Sequence, residues 1–146
     1  MPNVVRASAF LLVLAVALPA AASDPLSPYG RWSGRARFEA KMHGTIDRAA
    51  HAVTDLTITV DSRGNLVGAS PGNGCKASGR LSPGRTKQRF NLDVTLSGCK
   101  YRGFNRRFGG RLALDPQKNR ASFSLHNLLV ENARTYIFDV RATLRR

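Results

Sequence analysis

Carboxylates are scarce in this chain: nine Asp and Glu stand against 23 Lys and Arg, a formal net charge of +14 over 146 residues. Histidine and cysteine are scarcer still, three and two. Two cysteines without a neighbouring histidine cluster make a poor zinc site, because a structural site wants four ligands. His43, His51 and His126 are scattered, and none stands at ligand spacing from a second histidine or a carboxylate. No Gly-x-Ser-x-Gly nucleophile motif occurs, and Asp47 and His51, four apart, come nearest to an acid–base pair. These absences point to a protein that is not an enzyme and needs no metal or cofactor. Long apolar runs are missing too. The run over residues 9–18 falls well short of the roughly 20 apolar residues of a membrane span.

That run has the surroundings of a secretory signal peptide. Arg6 precedes it, Pro19 breaks it, and Ala20-Ala21-Ala22 supplies the small-x-small cleavage pattern. Cleavage is expected after Ala22, with Ser23 as the new start and no cysteine placed to carry a lipid anchor. Residues 1–22 contain one charge, Arg6, so 124 residues of net charge +13 remain, with no transmembrane segment. Residues 23–146 form one ordinary domain.

Past residue 28 the chain alternates with period two between turn residues, the pattern of half-buried antiparallel strands. Trp32, Gly34, Ala36 and Phe38 share one face of the first strand; Arg31, Ser33, Arg35, Arg37 and Glu39 share the other. Later inward sets are Leu56, Ile58, Val60; Cys75, Ala77, Gly79, Leu81; and Phe90, Leu92, Val94, Leu96. Phe108, Gly110, Leu112, Leu114, then Ala121, Phe123, Leu125, then Tyr136, Phe138, Val140, Ala142, Leu144 complete them. A weaker strand runs through Leu66. Eight strands in meander order predict an all-β fold, an eight-stranded up-and-down antiparallel barrel that hides its sheet edges, with a two-sheet sandwich as the rival. Residues 41–54 are ambiguous: Ala49-Ala50-His51-Ala52-Val53 suits a helical turn or a continuing strand.

An exported chain with two cysteines predicts a Cys75–Cys99 disulfide. Matching the inward faces of the fourth and fifth strands puts Leu81 opposite Leu92, Gly79 opposite Val94 and Ala77 opposite Leu96. Cys75 then meets Gly98, and a bend at that glycine swings Cys99 into reach.

The outward positions carry Arg31, Arg35, Arg37, Lys76, Arg80, Arg107, Arg111, Arg120, Arg141 and Arg145. The loop Lys100-Tyr101-Arg102-Gly103-Phe104-Asn105-Arg106-Arg107 adds aromatic rings among cations. Lys100, Arg102, Arg106, Arg107 and Arg111 are therefore the candidate anion-binding residues, since clustered arginines clamp phosphate or carboxylate. Partners of this chemistry are an anionic glycan, a lipid head group or an acidic protein. Nucleic acid is disfavoured, because export removes the chain from cytoplasmic DNA and RNA. The large inward residues should fill the barrel, although eight strands can also enclose one small apolar ligand.

Gly30-Arg31-Trp32 resembles the Gly-x-Trp barrel-start signature of lipocalins and related calycins, with Gly30 and Trp32 as its fixed members. The resemblance implies an arginine of the last strand packed over the tryptophan, here Arg141 or Arg145. The order of residues 56–125, with Gly74-Cys75, Gly79 and Cys99, is similar to a small β-barrel domain of exported bacterial proteins and surface lipoproteins. It implies a periplasmic or secreted protein of a Gram-negative bacterium and no established activity. The expected function is a binding or interaction module with a basic outer surface; a lipocalin-like carrier and a hydrolase inhibitor are the alternatives.

Overall fold

The computed structural model of the chain describes residue 24 and residues 26–146. The expected export segment and its cleavage point lie outside these residues. Among the described residues the strands are β1 (Gly30–Met42), β2 (Thr45–Ile46), β3 (Ala52–Val60), β4 (Asn65–Ser70) and β5 (Cys75–Pro83), then β6 (Arg89–Ser97), β7 (Arg107–Asp115), β8 (Arg120–Glu131) and β9 (Arg134–Arg145). β2 is a two-residue strand folded back on the end of β1. The other eight pair antiparallel in chain order, and β1 closes the ring against β9 over ten register pairs, from Ser33↔Arg145 to Met42↔Tyr136. The fold is a closed eight-stranded up-and-down barrel, and that seam excludes the sandwich.

Period-two alternation is what makes the ring workable. Trp32, Phe38, Ile58, Phe108, Leu112, Phe123, Val140 and Leu144 are buried inside, each stabilising the fold by about 1.5–3 kcal/mol if an aliphatic or phenyl group is fully removed from water. The interior is packed. Its cavity, lined by Phe38, Leu56, Cys75, Leu96 and Phe123 among others, measures about 10 Å³, room for about one water. Apolar inside and polar outside is the reverse of an outer-membrane barrel.

Residues 41–54 are neither one helical turn nor one strand. β1 runs on to Met42, and His43 and Gly44, both at positive φ (49° and 81°), make a two-residue hairpin to β2. Asp47 then shapes a turn by accepting the Ala49 N–H on its carboxylate (2.9 Å) and the Ala50 N–H on its carbonyl (3.1 Å). β3 starts at Ala52, so the alanine run is split between turn and strand.

The β5–β6 register is the one that inward matching gives: Ala77↔Leu96, Gly79↔Val94, Leu81↔Leu92. Gly98, at φ +68°, turns the chain through a conformation that costs a glycine little, and Cys99 bonds to Cys75 with both residues buried. Asn105 fixes the turn by accepting the Cys99 N–H on its side-chain oxygen at 2.8 Å.

At the far end of the barrel Gly30 opens β1 at φ +110°, and Trp32 behind it is 2 % exposed. The indole N–H donates to the Pro28 carbonyl at 2.8 Å. An arginine does cover the ring, but it is Arg146, whose guanidinium carbon sits 4.5 Å from the ring centroid. Arg146 also donates to the carbonyls of Asp24 (3.0 Å) and Ser27. Arg141 and Arg145 are exposed on the outer wall, because odd positions of β9 face out. The closed eight-stranded antiparallel barrel is consistent with a calycin-like fold.

Two stability measurements check these features. Replacing both cysteines by serine should cost roughly 3 kcal/mol in urea unfolding, the chain-entropy value for a loop of this length. Arg146→Ala should cost about 2 kcal/mol, a cation–π contact plus backbone hydrogen bonds, whereas Arg145→Ala should change stability by less than about 0.5 kcal/mol.

Candidate anion-binding surface

The loop of residues 98–106 is a plug. Phe104 is 1 % exposed and enters the barrel mouth, with its ring centroid 5.4 Å from Phe38, 5.6 Å from Phe138 and 5.8 Å from Tyr101. Such edge-on aromatic contacts add to the area buried. Leu96 N–H donates to the Arg106 carbonyl (3.0 Å), and Lys100 N–H donates to the Asn73 carbonyl (2.8 Å), so both feet of the loop are fastened.

The candidate cations therefore part company. Lys100 donates its ammonium to the Gly72 carbonyl at 3.1 Å. Arg106 lies half-buried over the Phe138 ring, 4.3 Å from its centroid, and donates to the Gly103 carbonyl. Arg107 is clamped two-pronged by Asp93, which holds that carboxyl below its usual range and raises the guanidinium pKa. Arg102 is exposed with no side-chain partner among the contacts described. Arg107 opens β7, and Arg111 lies further along the outer wall of the same strand, away from the loop.

The wall around Arg111 is where the cations gather. Reading straight across the strands from β6 through β7, β8 and β9 to β1, one row is Arg89, Ala113, Ser122, Thr143, Arg35. The adjoining row is Asn91, Arg111, Ser124, Arg141, Arg37. Neither row contains a carboxylate over these five strands; Asp55 stands one strand further on, opposite Arg35. Two shallow depressions lie along them. One is lined by Arg85, Arg89, Asn91 and Arg111 among others, the other by Arg35, Arg37, Ser122, Ser124 and Arg141, with Glu39 of the adjoining row at its edge.

Carboxylates are displaced to the next row, which reads Asp93, Gly109, His126, Asp139, Glu39. They reach the belt loosely: Arg37 to Glu39 is 3.8 Å and Arg141 to Asp139 is 3.9 Å. Asp139 is buried and instead holds His126 Nδ1 at 2.8 Å. Sequence spacing alone misses this His126–Asp139 pair, whose signal is the β8–β9 register. Arg37 faces Arg141 directly across the seam, and like charges so placed destabilise a sheet. An anion bound between them would remove that cost.

Comparison with protein families, with curated proteins and with solved structures finds no match to this chain. The functional reading therefore rests on this geometry. Among the described residues no group of three or more His, Cys, Asp or Glu is arranged to hold a metal ion.

The plug offers a pH test. Tyr101 donates its hydroxyl to Asp47 at 2.7 Å. Burial first, and the Asp47 carboxylate second, push the phenol up to about 12, while the hydrogen bond from Tyr101 holds Asp47 below its ordinary 3.8. A raised phenol favours its protonated form in the fold, so its contribution is full below about pH 10 and lost between about 10 and 12. The Asp47 contribution runs the other way, present above its ordinary value and lost as acid protonates it. Absorbance titration should show one tyrosine ionising near pH 12, and Asp47→Asn should lower that midpoint without returning it to 10, because burial remains.

Proposed function

We propose that this chain is an exported, non-enzymatic binding module that docks an anionic envelope component or an acidic partner protein on its outer wall. The observation that carries the reading is the pair of carboxylate-free rows from β6 to β1, with five arginines and intervening hydroxyl and amide donors. Arginine is suited to this work because its planar fork meets carboxylate and phosphate with two parallel bonds. Residues 1–22 and the Cys75–Cys99 bridge support export to the periplasm or the exterior of a Gram-negative bacterium. Kinship with lipocalin-like barrels of exported proteins is part of the same reading, supported by Gly30, Trp32 and the arginine over the ring.

The packed interior favours the outer wall over a carrier that holds a small apolar ligand inside. The fastened loop likewise favours the wall over an inhibitor that presents residues 100–107 to a hydrolase.

The test is retention on immobilised lipopolysaccharide and on an acidic glycan at low and high salt. Replacing Arg35, Arg37, Arg111 and Arg141 together by serine should weaken binding at least about tenfold, since four exposed ion pairs at about 0.5 kcal/mol each are lost. Replacing Arg102, Arg106 and Arg107 by serine should leave it within about twofold. Binding that survives high salt, or that falls only in the loop variant, contradicts the proposal.

A further inference from the structure

The belt has a shape as well as a charge. Its cations do not converge on one point: Arg89 and Arg35 end one row, while Arg111, Arg141 and Arg37 are spread along the other. Crossing from β6 to β1 takes four strand spacings, about 19 Å along the wall. Between the arginines stand short side chains, Ala113, Ser122, Ser124 and Thr143, with one depression toward the β6 end of the rows and the other toward the β1 end. The carboxylate row closes one flank. The result is a basic band perpendicular to the strands, too long for a single phosphate or carboxylate to satisfy.

We infer that the ligand is an extended acidic polysaccharide laid across the strands, a deepening that rests on the anion-binding reading above. A chain with an acidic group at each sugar can meet successive arginines, while the serine and threonine hydroxyls and the Asn91 amide take sugar hydroxyls. Single-stranded nucleic acid fits less well. Its affinity for such surfaces comes largely from bases stacking on aromatic rings. Neither row holds an aromatic residue, and the exposed Tyr29 precedes β1 at the barrel's far end.

Oligogalacturonides, with one carboxylate per sugar, test this on the intact domain by calorimetry. Affinity should rise about thirtyfold from dimer to octamer as about three further exposed ion pairs form, then level off. Its dependence on salt should steepen to a log–log slope of about −3.5, as about five charges of a single chain are neutralised. Arg35→Ser and Arg111→Ser, on different strands of the band, should each weaken the octamer about threefold. Affinity independent of length, or equal for inositol hexakisphosphate, overturns the extended-chain inference and leaves the anion-binding reading standing. Equal affinity for an oligothymidylate of matched charge overturns the choice of polysaccharide. Failure of every anion to bind overturns both readings, with folding of each variant verified by circular dichroism and thermal melting.

Discussion

The ten-residue ladder between β1 and β9 is the constraint on which the rest of the structure depends. Once it forms, each of the eight barrel strands has two barrel neighbours and no long edge is left free along the barrel wall. The two faces of the sheet become an inside and an outside, and period-two alternation then sorts the side chains between them. The same seam sets Arg35 and Arg37 of the first strand beside Thr143 and Arg141 of the last. The basic belt is a product of closure: three of its five arginines, Arg35, Arg37 and Arg141, come from the first and last strands. Closure also carries a cost, because Arg37 and Arg141 face one another where a sheet would favour opposite charges.

Both mouths of the ring are sealed, by different chemistry. At one, Trp32 and Arg146 pack together and the indole and guanidinium bond to the chain just before β1. At the other, Phe104 fills the opening and the Cys75–Cys99 bridge anchors the strand from which its loop departs. With the interior packed and Phe104 in the mouth, the proposed recognition surface is the outer wall. On the proposed reading, a wall rich in arginine and poor in carboxylate would favour negative charge, and its strand-to-strand spacing would favour charge that is repeated.

How much of this is legible in the sequence depends on the range of the information. Alternation is local, so the eight strands, the inward residues and the outward arginines can be read directly. The β5–β6 register follows from the same alternation applied to one hairpin, which is why the disulfide and the bend at Gly98 are legible too. The loop of residues 100–107 is different. Tyr101, Phe104 and their neighbouring cations have the composition of a docking loop and of a plug alike, and only the closed ring reveals an open mouth for Phe104 to fill. The arginine over Trp32 was readable after all: Leu144 faces in, so position 146 shares its phase, whereas 141 and 145 do not. The belt and the His126–Asp139 pair are the least legible, since each needs cross-strand registers that a single sequence does not state.

The central claim is that recognition happens on the closure wall and not at the plugged mouth. Nitrogen-edited NMR of the arginine Nε–H groups, followed as an acidic oligosaccharide is added, tests it most directly. The account predicts that the signals of Arg35, Arg37, Arg89, Arg111 and Arg141 move together and saturate at one equivalent, while those of Arg102, Arg106 and Arg107 stay in place. Shifts confined to Arg102, Arg106 and Arg107, with the five wall arginines unmoved, would contradict it.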